Sequence, residues 1–429
     1  MTPQDPTSGA AVAPAPQRLL RLPEALRERD FRRFWTGETI SLFGDQITQL
    51  ALPLVGVLVL HASAAQMGYL LAASLFPALF FSLHAGAWVD RRGRRRETMI
   101  FTAFGRAVLL ATIPVAYAFD VLTLAQLYFV SFLVGTLSVL FFVSYSTLFV
   151  SLVPRERYIE ASSLLNGSRA FSFVAGPSVG GALVQLFSAP GALIVDAWSF
   201  LVSAFTLSTI HPEEPPTEQA ERGHIKGGIR YIWHSQIIRA SLLATATINF
   251  FNFVFWALFI LYVTRTLDVT PGLLGAILGA ASVGGVTGSV LTGRISRRLG
   301  VGPAFALGCV LFPAPLVLVP LAGGGDLTVY ACLFAAEFLS GFGVMVLDIT
   351  AAAIKAALVP DRLRARVSGA YMVVNYGVRP LGSLLGGALG TWIGLRPTLW
   401  ISAVGAILGV VWLLPSPLLR LRELPEPAE

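Results

Sequence analysis

The chain has 429 residues, 55% of them hydrophobic and only 13% charged. A water-soluble domain carries about a quarter charged residues, so the composition excludes a soluble globule and makes lipid the natural solvent. The formal charge of +7 does not point to nucleic acid: of 31 Lys and Arg residues, 25 fall in the termini and alternate loops, two in the opposite loops (Arg265, Arg396) and four inside apolar segments. That asymmetry follows the positive-inside pattern, predicting a multi-pass protein with both termini in the cytoplasm and basic loops facing anionic headgroups.

In chain order, residues 1–17 are rich in Pro, Ala, Ser and Thr and read as a tail, and 18–33 hold six arginines and read as a cytoplasmic surface helix. Twelve apolar spans follow, at 34–60, 65–88, 97–118, 122–152, 162–187, 191–210, 238–263, 271–293, 303–322, 327–358, 367–393 and 395–415. The segment 211–237 separates the sixth span from the seventh. It opens with the helix-breaking His211-Pro212-Glu213-Glu214-Pro215-Pro216. It continues with Ile225, Ile229, Ile232 and Trp233 at helical spacing, with Lys226 and Arg230 between them, the pattern of an interfacial amphipathic helix. The expected domains are therefore a tail and surface helix (1–33), a six-helix bundle (34–210), a linker (211–237), a second six-helix bundle (238–416) and a tail (417–429). No signal peptide is expected, because the first apolar stretch is long, carries Glu38 and Asp45 and lacks a small-residue cleavage pattern. Cys309 and Cys332 both fall in apolar segments, and the fold does not need a disulfide between them.

The two bundles repeat one another. Val153-Pro154-Arg155-Glu156-Arg157 recurs as Val359-Pro360-Asp361-Arg362-Leu363, and Gly176-Pro177-Ser178-Val179-Gly180-Gly181 recurs as Gly382-Ser383-Leu384-Leu385-Gly386-Gly387, both offset by 206. Gly86-Ala87-Trp88-Val89-Asp90-Arg91-Arg92-Gly93 recurs as Gly293-Arg294-Ile295-Ser296-Arg297-Arg298-Leu299-Gly300, offset by 207. The expected fold is an all-α integral membrane protein of twelve transmembrane helices in two pseudo-symmetric six-helix bundles, the parallel-repeat plan of many secondary transporters.

The stretch Gly86 to Arg96 between the second and third spans resembles the loop signature of the major facilitator superfamily, with a Gly, an Asp-Arg pair and a Gly-Arg-Arg tail. The resemblance covers nearly the whole chain. It implies a cytoplasmic gate of Gly86, Asp90, Arg91, Gly93 and Arg94, with Asp90 set against the start of the eleventh helix near Val367 and Ser368. The alternative for this basic cluster is a stop-transfer signal that only fixes orientation. The second copy carries Arg297 in place of Asp90. In span five, Gly176, Pro177, Gly180 and Gly181 resemble the antiporter signature of superfamily exporters, with Ser172 replacing an upstream glycine. Ordinary small-residue packing is the alternative reading. Asp30-Phe31-Arg32-Arg33-Phe34-Trp35 and Gly44-Asp45 are similar to the bacterial macrolide, tetracycline and siderophore (enterobactin-type) exporters.

Ionisable groups inside spans are costly and usually line a cavity or pair with each other. Asp45, about eleven residues into the first span and flanked by Gln46 and Gln49, is a proton or substrate candidate, with an ion pair to Arg169 or Arg379 as its structural alternative. Glu337 is as deep in span ten; Glu38 lies near the cytoplasmic mouth and reads equally as a surface or cap residue. Asp348 and Lys355, seven apart on one face, read as a local pair or inner gate, and Asp196 sits near the outer end of span six. Asn249, Asn252 and Gln49 are the polar candidates for a cavity lined by a subset of the phenylalanines of spans four and seven. There is no phosphate-binding loop, no metal spacing among the histidines and no catalytic constellation, so neither a cofactor, a metal nor an enzyme is expected. Span four lacks, around Val134-Gly135-Thr136, the arginine found in many proton-coupled members of the superfamily.

The resemblance implies a monomeric, proton-driven efflux antiporter for a small amphiphile (a drug, antibiotic or siderophore) in the bacterial inner membrane, powered by the proton motive force. An importer or facilitator on the same fold, and a non-transporting receptor, remain the alternatives.

Overall fold

The computed structural model describes residues 23–212 and 225–423, and every regular element in them is helical. A 3₁₀ turn, Glu24–Arg27, precedes α1 (Arg29–Leu54). Pro53 removes a backbone donor in the last turn of α1, and the chain runs on as a π-turn, Val55–Val59. Helix α2 (Ala64–Arg92) starts at a capping box, in which Ser63 Oγ accepts from Gln66 N–H while Ser63 N–H donates to Gln66 Oε1 at 2.7 Å. It stops at Gly93, whose φ of 63° is left-handed and suits glycine. Helices α3 (Arg95–Ala118), α4 (Leu124–Ser151), α5 (Tyr158–Phe187) and α6 (Ala189–Ser208) complete the first six.

The expected linker helix is present as α7 (Ile225–His234), whereas residues 213–224 lie outside the described residues, as do the two tails. Gly228 lets α7 approach the backbone of Arg366, and Tyr231 Oη donates to Leu358 O at 2.5 Å. The linker helix is thereby anchored to the second half, with Ile229 and Trp233 left exposed. Helices α8 (Gln236–Arg265) and α9 (Pro271–Leu299) follow. The ninth span, expected as one helix over 303–322, is broken by Pro313, Pro315 and Pro320 into α10 (Val301–Leu311), a 3₁₀ turn at Ala314–Val317 and the single turn α11 (Leu318–Leu321). The chain ends with α12 (Asp326–Leu358), α13 (Asp361–Trp392) and α14 (Leu395–Ile407), the last continuing as a 3₁₀ stretch, Leu408–Leu413.

Eleven of these segments are long and apolar enough to cross a membrane. The twelfth, α13, has the length but carries Asn375, Arg379 and a run of glycines. Its polar stripe lies against α8, so it needs less apolar surface. In the first half α1 packs on α5 and α6, α3 on α4 and α6, and α2 on α4. In the second half α9 and α10 pack on α12, and α8 on α13 and α14. The halves meet along two seams, α2 with α13 and α5 with α9.

The packing differs at the two faces of the molecule. Away from the termini, one apolar core crosses both halves, joining Leu50, Leu54, Met67 and Leu193 to Phe255, Leu261, Ile277 and Val329. Toward the termini the core divides. One cluster, with Phe31, Phe34, Met99 and Leu207, belongs to the first half, and another, with Ile238, Phe305, Leu347 and Val367, to the second. Small residues close the far face: a Cβ on Gly68 would stand 2.8 Å from the Gly387 Cα, and one on Gly181 would stand 2.8 Å from the Gly275 Cα. The sequence repeat carries Gly68 to Gly275 and Gly181 to Gly387, so this is one contact made twice. Hydrogen bonds reinforce it, from Arg265 Nη2 to Val57 O (3.0 Å), from Ala65 N–H to Thr391 Oγ1 (3.0 Å) and from Gly272 N–H to Gln185 Oε1 (2.9 Å). Nearer the termini, Gly86, Gly167 and Gly369 have nothing within 4 Å of a Cβ position. The two halves are therefore closed at the far face and splayed at the terminus-bearing face.

Candidate functional site

The first half holds a compact ionic cluster on α1, α3 and α6. Arg106 of α3 is buried and its Nη1 lies 3.6 Å from Asp45 Oδ1 of α1. Its guanidinium sits over the Phe141 ring at 4.5 Å and the Phe200 ring at 4.0 Å. Its Nε and Nη2 have no hydrogen-bond partner. Asp45 therefore pairs with Arg106, not with Arg169 or Arg379 as its sequence position left open. Helix rotation decides this: α1 packs on α6, and α6 on α3, which brings Arg106 to the Asp45 face.

Asp196 is the residue that sequence position undervalued. Although near the outer end of span six, it is fully buried. It accepts hydrogen bonds from Thr48 and, at 2.8 Å, from Ser199 Oγ. Gly44 makes this possible, because a Cβ there would fall on Asp196 Oδ1 and Ser199 Oγ. The Asp45 side chain is 40% exposed while Asp196 is sealed, so one carboxyl of the pair is accessible and the other is not. Glu38, read as a possible surface or cap residue, is buried, with Asp45, Arg106 and Arg169 as its charged neighbours. Gln46 is buried against Gly176, whereas Gln49 is exposed.

The second half carries a polar ladder between α8 and α13. Tyr371 Oη bonds with Ser241 Oγ (3.2 Å) and Thr245 Oγ1 (2.7 Å), and Asn249 Nδ2 donates to Asn375 Oδ1 at 3.0 Å. Arg379 comes next on α13, over the rings of Tyr376 (4.1 Å) and Phe253 (5.2 Å). Glu337 is buried with Oε1 unpartnered, and buried Asn252 leaves its Oδ1 unpartnered. Asp348 and Lys355 act on each other electrostatically, as expected of a local pair, but are not within ion-pair distance among the described residues: Asp348 is exposed and the Lys355 ammonium lies 4.3 Å over the Tyr371 ring. Seven residues of helix, about 10 Å of rise, is a long reach for direct contact.

The loop-signature residues sit at the terminus-bearing end of the α2/α13 seam. Arg91 and Arg94 are exposed, Arg94 pairing with Glu97 at 3.2 Å. Arg96 donates to Leu207 O (2.9 Å) and Ser208 O (2.5 Å), satisfying the last carbonyls of α6. The Asp90 side chain lies outside the described residues. Gly176 and Gly180 of α5 pack on Gln46 and Ile47 of α1, and Gly181 packs on α9. The span-five motif thus brings α1, α5 and α9 together where the halves meet.

These features, twelve membrane-length helical segments among the described residues, in two repeated halves closed at one face and splayed at the other, are those of a transporter fold. The family model described as "Transmembrane secretion effector" matches residues 23–426. The chain belongs to this family, within the major facilitator superfamily, and is a multi-pass membrane transporter, not an enzyme. It is similar to the multidrug efflux pump Tap of Mycolicibacterium fortuitum, with 28% identity over 408 residues covering 89% of this chain and 93% of that pump. Tap of Mycobacterium tuberculosis strain H37Rv is 27% identical over 384 residues, 83% of this chain and 85% of its own. Among solved structures, an inward-facing bacterial homologue of the iron transporter ferroportin superposes with a TM-score of 0.73 at 16% identity, covering 90% of this chain and 98% of that one. That likeness bears on the fold alone.

Proposed function

We propose that the protein is an efflux transporter exchanging protons for a small amphiphilic molecule across the bacterial cytoplasmic membrane, with both termini in the cytoplasm. The observation that carries the reading is the paired carboxyls of Asp45 and Asp196 beside buried Arg106, one accessible and one sealed. An ionised Asp45 attracts Arg106, and a proton on Asp45 cancels that attraction. Proton occupancy thereby biases how α1, α3 and α6 pack, which is the bistable element that coupling requires. The likeness to multidrug efflux pumps and the span-five motif at the seam support export. No resident cofactor is part of this reading, and the proton motive force supplies the energy. One chain contains both halves of the path, so a monomer suffices.

Proton flux in proteoliposomes containing a pH dye, challenged with macrolides, tetracyclines, siderophores and cationic dyes, tests the reading. Substrate-triggered proton movement is expected, abolished in Asp45→Asn. Flux that survives in Asp45→Asn moves the proton to Glu337. Substrate uptake down its own gradient without proton movement favours the facilitator.

A further inference from the structure

The ladder between α8 and α13 changes character at its last rung. Thr245, Asn249 and Phe253 recur every fourth residue on α8, and Tyr371, Asn375 and Arg379 do the same on α13, so three pairs face each other in turn. The first two rungs are closed by hydrogen bonds at 2.7 and 3.0 Å. The third places a guanidinium opposite a phenyl ring, which holds the cation but accepts none of its N–H groups. Arg379 has five donors and donates none of them in a hydrogen bond among the described residues, and its buried Nε is left without a partner. No carboxylate lies within ion-pair distance of it among the described residues.

Arg379 is also half-buried, not sealed. Asp348 of α12 interacts electrostatically with Lys355 and also with Arg379, and α12 and α13 share no extensive contact among the described residues. Both side chains reach accessible surface, Asp348 exposed and Arg379 half-buried. The Tyr376 and Phe253 rings hold the guanidinium but accept none of its N–H groups, donors that suit a planar anion. A carboxylate or sulfonate satisfies several of those donors at once.

We propose that Arg379 recognises an anionic group on the transported molecule, so that this chain takes amphiphiles bearing a carboxylate or sulfonate beside an aromatic body. The proposal rests on the transport reading for its biological sense but not for its test. Rhodamine B carries a free carboxylate and its ethyl ester does not; the two otherwise share one aromatic frame. Binding of each to the purified full chain in detergent is read by fluorescence anisotropy. The expected result is a preference of about tenfold for the acid, abolished in Arg379→Gln and only partly kept in Arg379→Lys, which retains charge but not the fork. Asp348→Asn, at an exposed position, removes a competing anion and is expected to tighten binding of the acid alone, which keeps the test alive should Arg379→Gln fail to fold. Equal binding of acid and ester, tighter binding of the ester, binding of neither, or an equal loss of both in Arg379→Gln overturns the assignment. A preference that depends on Arg379, without translocation of either dye in proteoliposomes, overturns the proposed export of such amphiphiles and leaves the binding site intact.

Discussion

At the scale of single residues, the first-half cluster depends on one missing side chain. Gly44 brings α1 against α6 closely enough for Thr48 and Ser199 both to bond to Asp196. A methyl group there would fall on the Asp196 carboxyl, so either the helices separate or the carboxyl gives up its hydroxyl donors. Overpacking costs about 1–3 kcal/mol, and an unsatisfied buried acceptor costs about as much again. Gly44→Ala is therefore expected to lower thermal stability in detergent and to impair the proposed proton coupling. Gly324→Ala, at an open loop position with a φ of 92°, serves as a control that strains only a loop. Differential scanning fluorimetry of the two variants decides the matter; a Gly44→Ala protein as stable and as coupled as its parent contradicts this account of α1 and α6.

At the scale of elements, the far face is held by groups that are few and weak individually. Arg265 at the end of α8 donates across the seam to the Val57 carbonyl, inside the π-turn that follows Pro53. A π-turn displaces backbone carbonyls from the regular ladder, making them available to an outside donor. Arg265→Ala removes the cross-seam donor and leaves the carbonyl unpaired. It is expected to raise the share of molecules open at the far face by about 5- to 30-fold, the equivalent of losing about 1–2 kcal/mol. A cysteine at Leu60, in a background with Cys309 and Cys332 replaced, reports this as faster labelling from the far side; unchanged labelling removes Arg265 from the latch. Much of this level was legible in the sequence. The apolar runs marked the spans, and Gly176-Pro177 with Gly180-Gly181 marked a close approach. The break in the ninth span is not legible in hydropathy, because Pro313, Pro315 and Pro320 sit in a uniformly apolar run that hides the loss of helix. The Asp45 and Arg106 pair was not legible either, since residues 61 apart on separate helices meet only once the rotation of each helix is fixed by packing.

At the scale of the whole molecule, the repeat builds the closed face from contacts that can part without unfolding either half. Gly68 with Gly387 and Gly181 with Gly275 bring backbones together without burying large side chains. In lipid such contacts rely on close packing, because leaving hydrocarbon for protein gains little hydrophobic energy. A seam of this kind separates at a cost of a few kcal/mol, the range that ligands and protons can offset. The open glycines at the other face, Gly86 and Gly369 on the paired helices α2 and α13, leave room for an equivalent approach there. Closing one face while opening the other then needs only rocking of two halves that stay internally packed. Ala65 N–H already bonds to Thr391 Oγ1 at 3.0 Å across the far end of the α2/α13 seam. Replacing both residues, Ala65→Cys and Thr391→Cys, in the background without native cysteines places two thiols at this contact. Oxidation is expected to lock the far face, stop transport and leave dye binding from the terminus-bearing side intact, with dithiothreitol restoring turnover. Single replacements are expected to respond to neither reagent. Undiminished transport by a fully cross-linked protein would show that the halves do not part at this seam, and the rocking mechanism would have to be abandoned for one in which substrate passes through a single half.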